Sequence, residues 1–562
     1  MNNAAIANNF SLLSKLMDIH RDNSFKAKSY SSAAYTIDKL PIQLASLEHN
    51  KIFSLKGIGE SVGQKIIEQL TTGAFSLLQE YIAKTPHGII EMLNIRGLGP
   101  KKIAIIWHDM EIESLGELLY ACNENRLTLY KGFGSKTQQS IKENIEFYVN
   151  TLGSYLYQQI ENYTLSIHKQ LEQKFSAETF IITGNFRRQL EIIEKVEWVT
   201  TTNEHELINF FSTNNYQKVE HQNNYIVFCG DENVQLGFYC VNEKSLYTKL
   251  FITSCSNTFL EKWIQQTGMN VDDTIESEEK IFEKYHCHYI PPYRRENAFV
   301  IEQAMKEALP ITIQEGDIKG IIHSHSTWSD GSNTIEEMAN ACIMQGLEYL
   351  IISDHSKTAT YAQGLSVERV LAQHEQIDEL NKKLFPFTIF KSIESDILGD
   401  GSLDYEPEIL NKFDLVIASI HSNLKMSEEK AMLRLLNAIA NPFTSIMGHL
   451  TGRLLLSRNG YPVNYEAIFD ACVKHHVAIE LNAHPRRLDI DWRYIEQALQ
   501  KNILISINPD AHVIEGFADV KYGILVAQKA GLTTENNLSS FTIHQLKDFI
   551  AIQKQKRKMV EV

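Results

Sequence analysis

Through the first 150 or so positions, apolar residues recur every three or four places, the spacing of one buried helix face, and glycine-containing turns interrupt them at regular intervals. This predicts an all-helical region. From about 151 to 300 the pattern is mixed. Strand-like runs such as Phe180-Ile-Ile-Thr and Tyr225-Ile-Val-Phe-Cys stand among helical segments, and Ile290-Pro-Pro-Tyr-Arg-Arg-Glu reads as an irregular connection. From about 316 onward short apolar runs (Gly320-Ile-Ile, Tyr349-Leu-Ile-Ile, Leu415-Val-Ile-Ala-Ser, Val477-Ala-Ile-Glu-Leu, Ile503-Leu-Ile-Ser-Ile) alternate with amphipathic helical stretches. That alternation predicts parallel strands with crossover helices, closed into a barrel. Barrels of this kind carry their chemistry on the loops after the strand C-termini.

One turn recurs in the helical region: Leu55-Lys-Gly-Ile-Gly-Glu-Ser-Val-Gly63, Ile95-Arg-Gly-Leu-Gly-Pro-Lys-Lys102 and Tyr130-Lys-Gly-Phe-Gly-Ser-Lys136. Each reads as a helix end, a Gly-apolar-Gly hairpin and a new helix start, with Lys or Arg just before the first glycine. Glycines permit the tight turn and let the backbone approach a partner, and amides at the new helix N-terminus can face a phosphate. The segments resemble the helix-hairpin-helix motif, which grips the DNA backbone without reading sequence. Gly57, Gly59, Gly97, Gly99, Gly132 and Gly134 are therefore candidate DNA contacts, of the kind that fix position and give salt-sensitive affinity.

The strongest chemistry lies at the ends of the later strands. His323-Ser-His325 follows Gly320-Ile-Ile, and in an extended segment residues i and i+2 point to the same side, so both imidazoles can meet one ion. Asp330 follows in a Ser-Asp-Gly turn, Asp354-His355 after Leu350-Ile-Ile-Ser, Glu394 after a strand-like run from Phe387, and His421 after Val416-Ile-Ala-Ser-Ile. His449 sits in Met447-Gly-His, and Asp510-Ala-His512 follows Ile505-Ser-Ile-Asn-Pro. Every predicted strand here but one ends in a residue able to bind a divalent metal. The set suffices for two or three ions, with Glu394 a natural bridging carboxylate. Clustered cations would lower the pKa of water and neutralise a phosphate during in-line attack. Arg453, Arg486 and Arg487 are candidate holders of a flanking phosphate.

Composition narrows the partners. The chain has 562 residues, 43% of them apolar and 22% charged, as expected of roughly three or four globular domains. A net charge of -15 argues against indiscriminate nucleic-acid binding over the whole surface but leaves local recognition open. Seven scattered cysteines without a CxxC pair, the lack of a secretory pattern in MNNAAIANNF and the lack of a long apolar run predict a reduced, cytoplasmic setting. The basic run Gln553-Lys-Gln-Lys-Arg-Lys558 reads as an exposed tail.

The ligand pattern His323, His325, Asp330, His355, Glu394, His421, His449, Asp510 and His512 resembles the polymerase-and-histidinol-phosphatase (PHP) superfamily, whose distorted β/α barrel holds up to three ions, usually zinc or manganese, with magnesium also conceivable. Hairpins ahead of such a barrel resemble the bacterial X-family DNA polymerases, in which a lyase-like domain and hairpins precede a nucleotidyltransferase palm and the PHP domain supplies 3'-to-5' exonuclease activity. The resemblance implies a lyase-like helical domain over 1–80 with the first hairpin, a fingers-like hairpin region over 81–150, an α+β palm and thumb over 151–300, and the PHP domain over 316–562. Thr183-Gly-Asn-Phe-Arg187-Arg188 stands where that family has its Gly-Ser and Arg-Arg signature. Its Gly-Asp-apolar-Asp is replaced by Glu194-Lys195-Val196-Glu197, its third carboxylate falls at Gln235, and its nucleotide-binding turn becomes Thr253-Ser-Cys-Ser-Asn257. Two magnesium ions need three carboxylates there, so the palm is expected to fold without polymerising. Lys26, Tyr30 and Lys65 are similar to the deoxyribose-phosphate lyase site, in which Lys65 would form a Schiff base.

The expected function is a metal-dependent DNA phosphodiesterase in repair: a 3'-5' exonuclease, with AP-endonuclease or 3'-phosphatase activity as variants, using Glu394 and Asp330 at its centre and acting on nicked, gapped or abasic DNA. A small-molecule phosphatase of histidinol-phosphatase type leaves the first 300 residues unexplained. An active X-family polymerase conflicts with Lys195 and Gln235, and a DNA-binding platform with a vestigial metal site conflicts with the complete ligand set.

Overall fold

The computed structural model describes all residues except 124–125, 152, 231–232, 272, 457–458 and 559–562. The chain divides into two compact units, Met1–Leu152 and Gly153–Val562.

The first unit is all helical among its described residues, with a core that includes Phe10, Leu13, Ile37, Phe75, Ile103 and Ile106. Its three hairpins are built alike. The first glycine of each has positive φ (Gly57 87°, Gly97 87°, Gly132 98°), which only glycine adopts without strain. The apolar residue between the glycines, Ile58, Leu98 or Phe133, is buried and anchors the turn. Its amide donates to the carbonyl three residues back, Leu55, Ile95 or Tyr130, at 3.1 Å in every copy. Helices then start at Glu60, Pro100 and Ser135.

In the second unit a short pair, β1 (Tyr155–Leu156) and β3 (Ile192–Ile193), accompanies a five-stranded mixed sheet where the palm is expected. The strands of this sheet are β2 (Phe180–Thr183), β4 (Lys195–Thr200), β5 (Gln217–Gln222), β6 (Tyr225–Cys229) and β7 (Gln235–Cys240), in the order β2-β4-β7-β6-β5. Stacked aromatic rings of Trp198 and Phe238, 5.1 Å apart, fill its core with Phe211 and Phe228.

The remaining strands are all parallel: β8 (Gly320–Ile321), β9 (Tyr349–Ile352), β10 (Thr388–Asp396), β11 (Leu415–Ser419), β12 (Ile446–Met447), β13 (Ala478–Asn482) and β14 (Ile505–Asn508), in sequential order. A parallel bridge between Ser324 and Ala511 joins the first to the last and nearly closes the barrel. The two-residue β12 was not legible as a strand. The C-terminal helix Ile543–Lys558 plugs the barrel floor with Leu546, Phe549 and Ile550 against Ile322, Tyr349, Ile417 and Ile446.

That helix overturns the expectation of an exposed basic tail. Lys554 pairs with Asp414 at 2.7 Å, Lys556 donates to the Thr444 carbonyl at 2.6 Å, and buried Arg557 donates to the Phe413 carbonyl at 2.7 Å. Carbonyls left free at element ends draw these cations onto the barrel. No helix among the described residues is long and apolar enough to cross a membrane.

Candidate metal centre

Each strand end of the barrel delivers a polar side chain to one buried cluster. Groups able to share one ion form around His325, Asp330, His355 and His512, around His323, His325 and Asp510, and around His355, Glu394 and His421, with ligand atoms of each group within 4.8 Å of one another. The groups overlap through His325 and His355. Glu394 reaches across all of them, 2.9 Å from His355 Nδ1, 3.1 Å from His421 Nε2, 3.0 Å from His449 Nε2 and 3.7 Å from His325 Nε2. All nine predicted ligands therefore meet in one place.

The donor set fits a cation. His323 Nε2, His325 Nδ1 and Glu394 Oε2 are buried without a hydrogen-bond partner, an unfavourable state that an ion would relieve. Burial opposes charge throughout, and at His323 and His421 the neighbouring carboxylates prevail over it. Glu480, Asp510 and Glu394 raise His323 well above its ordinary range, and Glu394 with Asp396 raises His421 to about 10. Burial, with His355 and His512 nearby, pushes His325 down to about 3. Glu394 and Asp510 lie well below the usual carboxylate range, despite burial, because of the imidazoles around them. Such a cluster of anions calls for positive charge at its centre. His323 and Asp510 also hold positive φ (63° and 52°), backbone strain of the kind found at functional sites.

Several supporting residues escaped the sequence reading. Asp354 is not a ligand. It is fully buried and accepts from Ser326 (amide 2.8 Å, Oγ 2.7 Å), Ser329 (Oγ 2.5 Å) and Gln373 (2.6 Å), which fixes the loop carrying Asp330. Asp396 lies 2.5 Å from His421 Nδ1, and Glu480 lies 2.6 Å from His323 Nδ1. Both had a signal: Asp396 is two residues beyond Glu394 and so on the same side of the strand, and Glu480 is a lone carboxylate inside an apolar run.

The arginines separate. Arg453, expected at a phosphate, is committed to the chain itself. Its Nε donates to the Arg487 carbonyl at 3.0 Å, Nη2 to the Leu488 carbonyl at 2.5 Å, and Nη1 pairs with Asp491 at 2.5 Å. It braces the 486–491 loop. Arg487 on that loop is partly exposed with Nε 3.7 Å from Asp510, whereas Arg486 is exposed.

Lys195 and Gln235 are direct partners across β4 and β7. Lys195 Nζ lies 5.2 Å from the Tyr225 ring and 3.6 Å from Glu220, and Glu197 accepts from both Tyr225 and Tyr239 hydroxyls at 3.0 Å. Arg187 makes a bidentate pair with Glu278 at 2.9 and 2.7 Å, and Arg188 bonds Asn185 at 2.5 Å. In the first unit, Lys65 Nζ bonds Ser61 and stands 5.7 Å from the ring of buried Tyr30, while Lys26 is exposed.

Comparison with known proteins agrees with this geometry. Residues 1–75 match the helix-hairpin-helix domain, 89–146 the SAM-like helix-hairpin-helix tandem and 322–484 the PHP domain. A probable phosphatase of Thermoanaerobacter sp. (strain X514) is 26% identical over 245 residues, 42% of this chain and 95% of its own length. One from Syntrophotalea carbinolica is 25% identical over 41% of the chain and 95% of its own length. The DNA polymerase/3'-5' exonuclease PolX of Bacillus subtilis (strain 168) is 31% identical over 563 residues, covering 95% of this chain and 96% of that protein. With that relative matched over nearly its full length, and with helix-hairpin-helix and PHP domains along it, the chain belongs to the PolX family.

Proposed function

We propose that the chain is a metal-dependent 3'-5' exonuclease of DNA repair, held on DNA by its hairpins and unable to extend a primer. The observation that carries the reading is the nest of overlapping His, Asp and Glu groups at the barrel's strand ends. His323, His325, Asp330, His355, Glu394, His421, His449, Asp510 and His512 would hold two or three divalent ions of the zinc or manganese class. Bound there, such ions supply a water of lowered pKa and neutralise the phosphodiester. Glu394 sits between the groups and bridges them. Asp330, at the more open edge, closes the group that includes His512, 3.4 Å away. Arg487 is the cation placed to steady the flanking phosphate, and Arg453 fixes the loop that presents it.

Exposed Gly59, Gly97, Gly99, Gly132 and Gly134 leave open space where a side chain would stand, which lets a DNA backbone approach the amides. In the palm, Lys195 puts a cation where a metal would sit, and Arg187 is already paired. Nicked or gapped DNA is the favoured substrate class. The test is a 5'-labelled primer-template with manganese, with and without nucleotides, beside His323→Ala/His325→Ala. Shortening at least about a thousandfold slower in the double variant, without extension by the native chain, is the expected result. Extension would restore the palm as a polymerase, and an untouched primer would move the activity to small phosphate esters.

A further inference from the structure

Among the barrel strands, β13 alone delivers no metal ligand, yet its central carboxylate is engaged on both oxygens at the site. Glu480 is wholly buried and accepts from four directions. Oε2 takes His323 Nδ1 at 2.6 Å and Asn508 Nδ2 at 2.8 Å, while Oε1 takes the His449 amide at 3.0 Å and Asn482 Nδ2 at 3.0 Å. The same Asn482 amide group reaches Asp510 Oδ2 at 3.0 Å. The Asn508 orientation is fixed in turn, because its Oδ1 accepts the Ser506 hydroxyl at 2.6 Å.

We propose that Glu480 is a positioning residue for the metal centre, holding His323 with its proton on Nδ1 so that Nε2 faces the ions. The inference rests on the metal centre proposed above. The surroundings present only donors to Glu480, so an amide in its place would turn a donor toward a donor. Without that anchor the His323 ring is free to rotate and to carry its proton on Nε2, which removes the lone pair an ion needs. The strained His323 backbone loses one of the contacts that over-determine it.

The experiment is a zinc titration of the metal-free full-length chain against a competing chelator, for the native protein, Glu480→Gln, His323→Ala and the double variant. Melting temperatures are read with and without zinc. Glu480→Gln should weaken zinc binding roughly 10- to 100-fold, and the double variant should be no weaker than His323→Ala within about twofold, because both changes act through one ligand. The loss in melting temperature should fall on the zinc-dependent increment. Native affinity in Glu480→Gln, or effects that multiply in the double variant, overturns the proposal. If Glu480→Gln does not fold, Glu480→Asp replaces it. Should neither fold while His323→Ala does, the role of Glu480 lies with the fold and the proposal falls. If His323→Ala itself binds zinc like the native chain, the metal centre is what fails.

Discussion

Arg453 shows how much a side chain's partners decide. From sequence it stood as a cation beside a phosphate, but its donors are taken by two carbonyls and Asp491. Arg453→Met should therefore destabilise the fold by about 2–4 kcal/mol, since it strands buried acceptors and half of an ion pair. It should lower kcat through the loosened 486–491 loop. Thermal melting and steady-state kinetics check this, and an unchanged melting temperature with a raised KM would return Arg453 to the phosphate. The residues of the cluster were legible because imidazoles and carboxylates at successive strand ends have few other reasons to recur. Asp396 and Glu480 were missed because their signals, a carboxylate two places beyond Glu394 and a lone one inside an apolar run, do not say which imidazole each would hold.

At the level of elements, the hairpins were readable from their glycines, since the positive φ of Gly57, Gly97 and Gly132 leaves no other residue unstrained. Gly132→Ala should cost about 1–2 kcal/mol on that ground alone. Gly134 is different. It caps the following helix, has no positive φ and has nothing within 4 Å of a built side chain. Gly134→Glu should leave the melting temperature unchanged and weaken DNA binding roughly five- to tenfold at low salt, by setting a carboxylate where a phosphate approaches. Fluorescence anisotropy against salt concentration measures it, and unaltered affinity would remove the third hairpin from the DNA-binding surface. Helices and the other barrel strands followed their apolar patterns, while two-residue β12 lies below the length at which any period exists. The basic helix end was misread because its positive charges gave no hint of the carbonyls beneath it.

For the molecule as a whole, the mixed sheet and the barrel form a single unit joined by polar contacts. Lys529 donates to the Arg188 carbonyl at 2.7 Å and to Glu296 at 3.1 Å, and Arg493 pairs with buried Glu191 at 2.8 Å. Burial pushes Lys529 down from 10.5 to about 8. Between those values the native chain binds fewer protons there than the unfolded chain, so its contribution to stability rises with pH across that window. Relative to Lys529→Met, the native chain should gain up to about 3 kcal/mol on going from pH 8 to pH 10.5 in denaturant titrations. A difference that stays flat with pH would mean that Lys529 titrates as it does in the unfolded chain. The order of domains was visible in the sequence, but this junction was not, because its partners lie hundreds of residues apart.

The bridge from Ser324 to Ala511 also sets a schedule for the growing chain. His325 and Asp510, 3.1 Å apart in the finished barrel, are separated by 185 residues. At about 5–20 residues per second, ribosomal synthesis leaves the first ligands waiting roughly 10–40 s for the last. During that interval Asp330, His355, Glu394, His421 and His449 emerge one after another, while Asp510 and His512 are still to be made. Nuclease activity therefore arrives only with the final strand, after the hairpins and palm have been made.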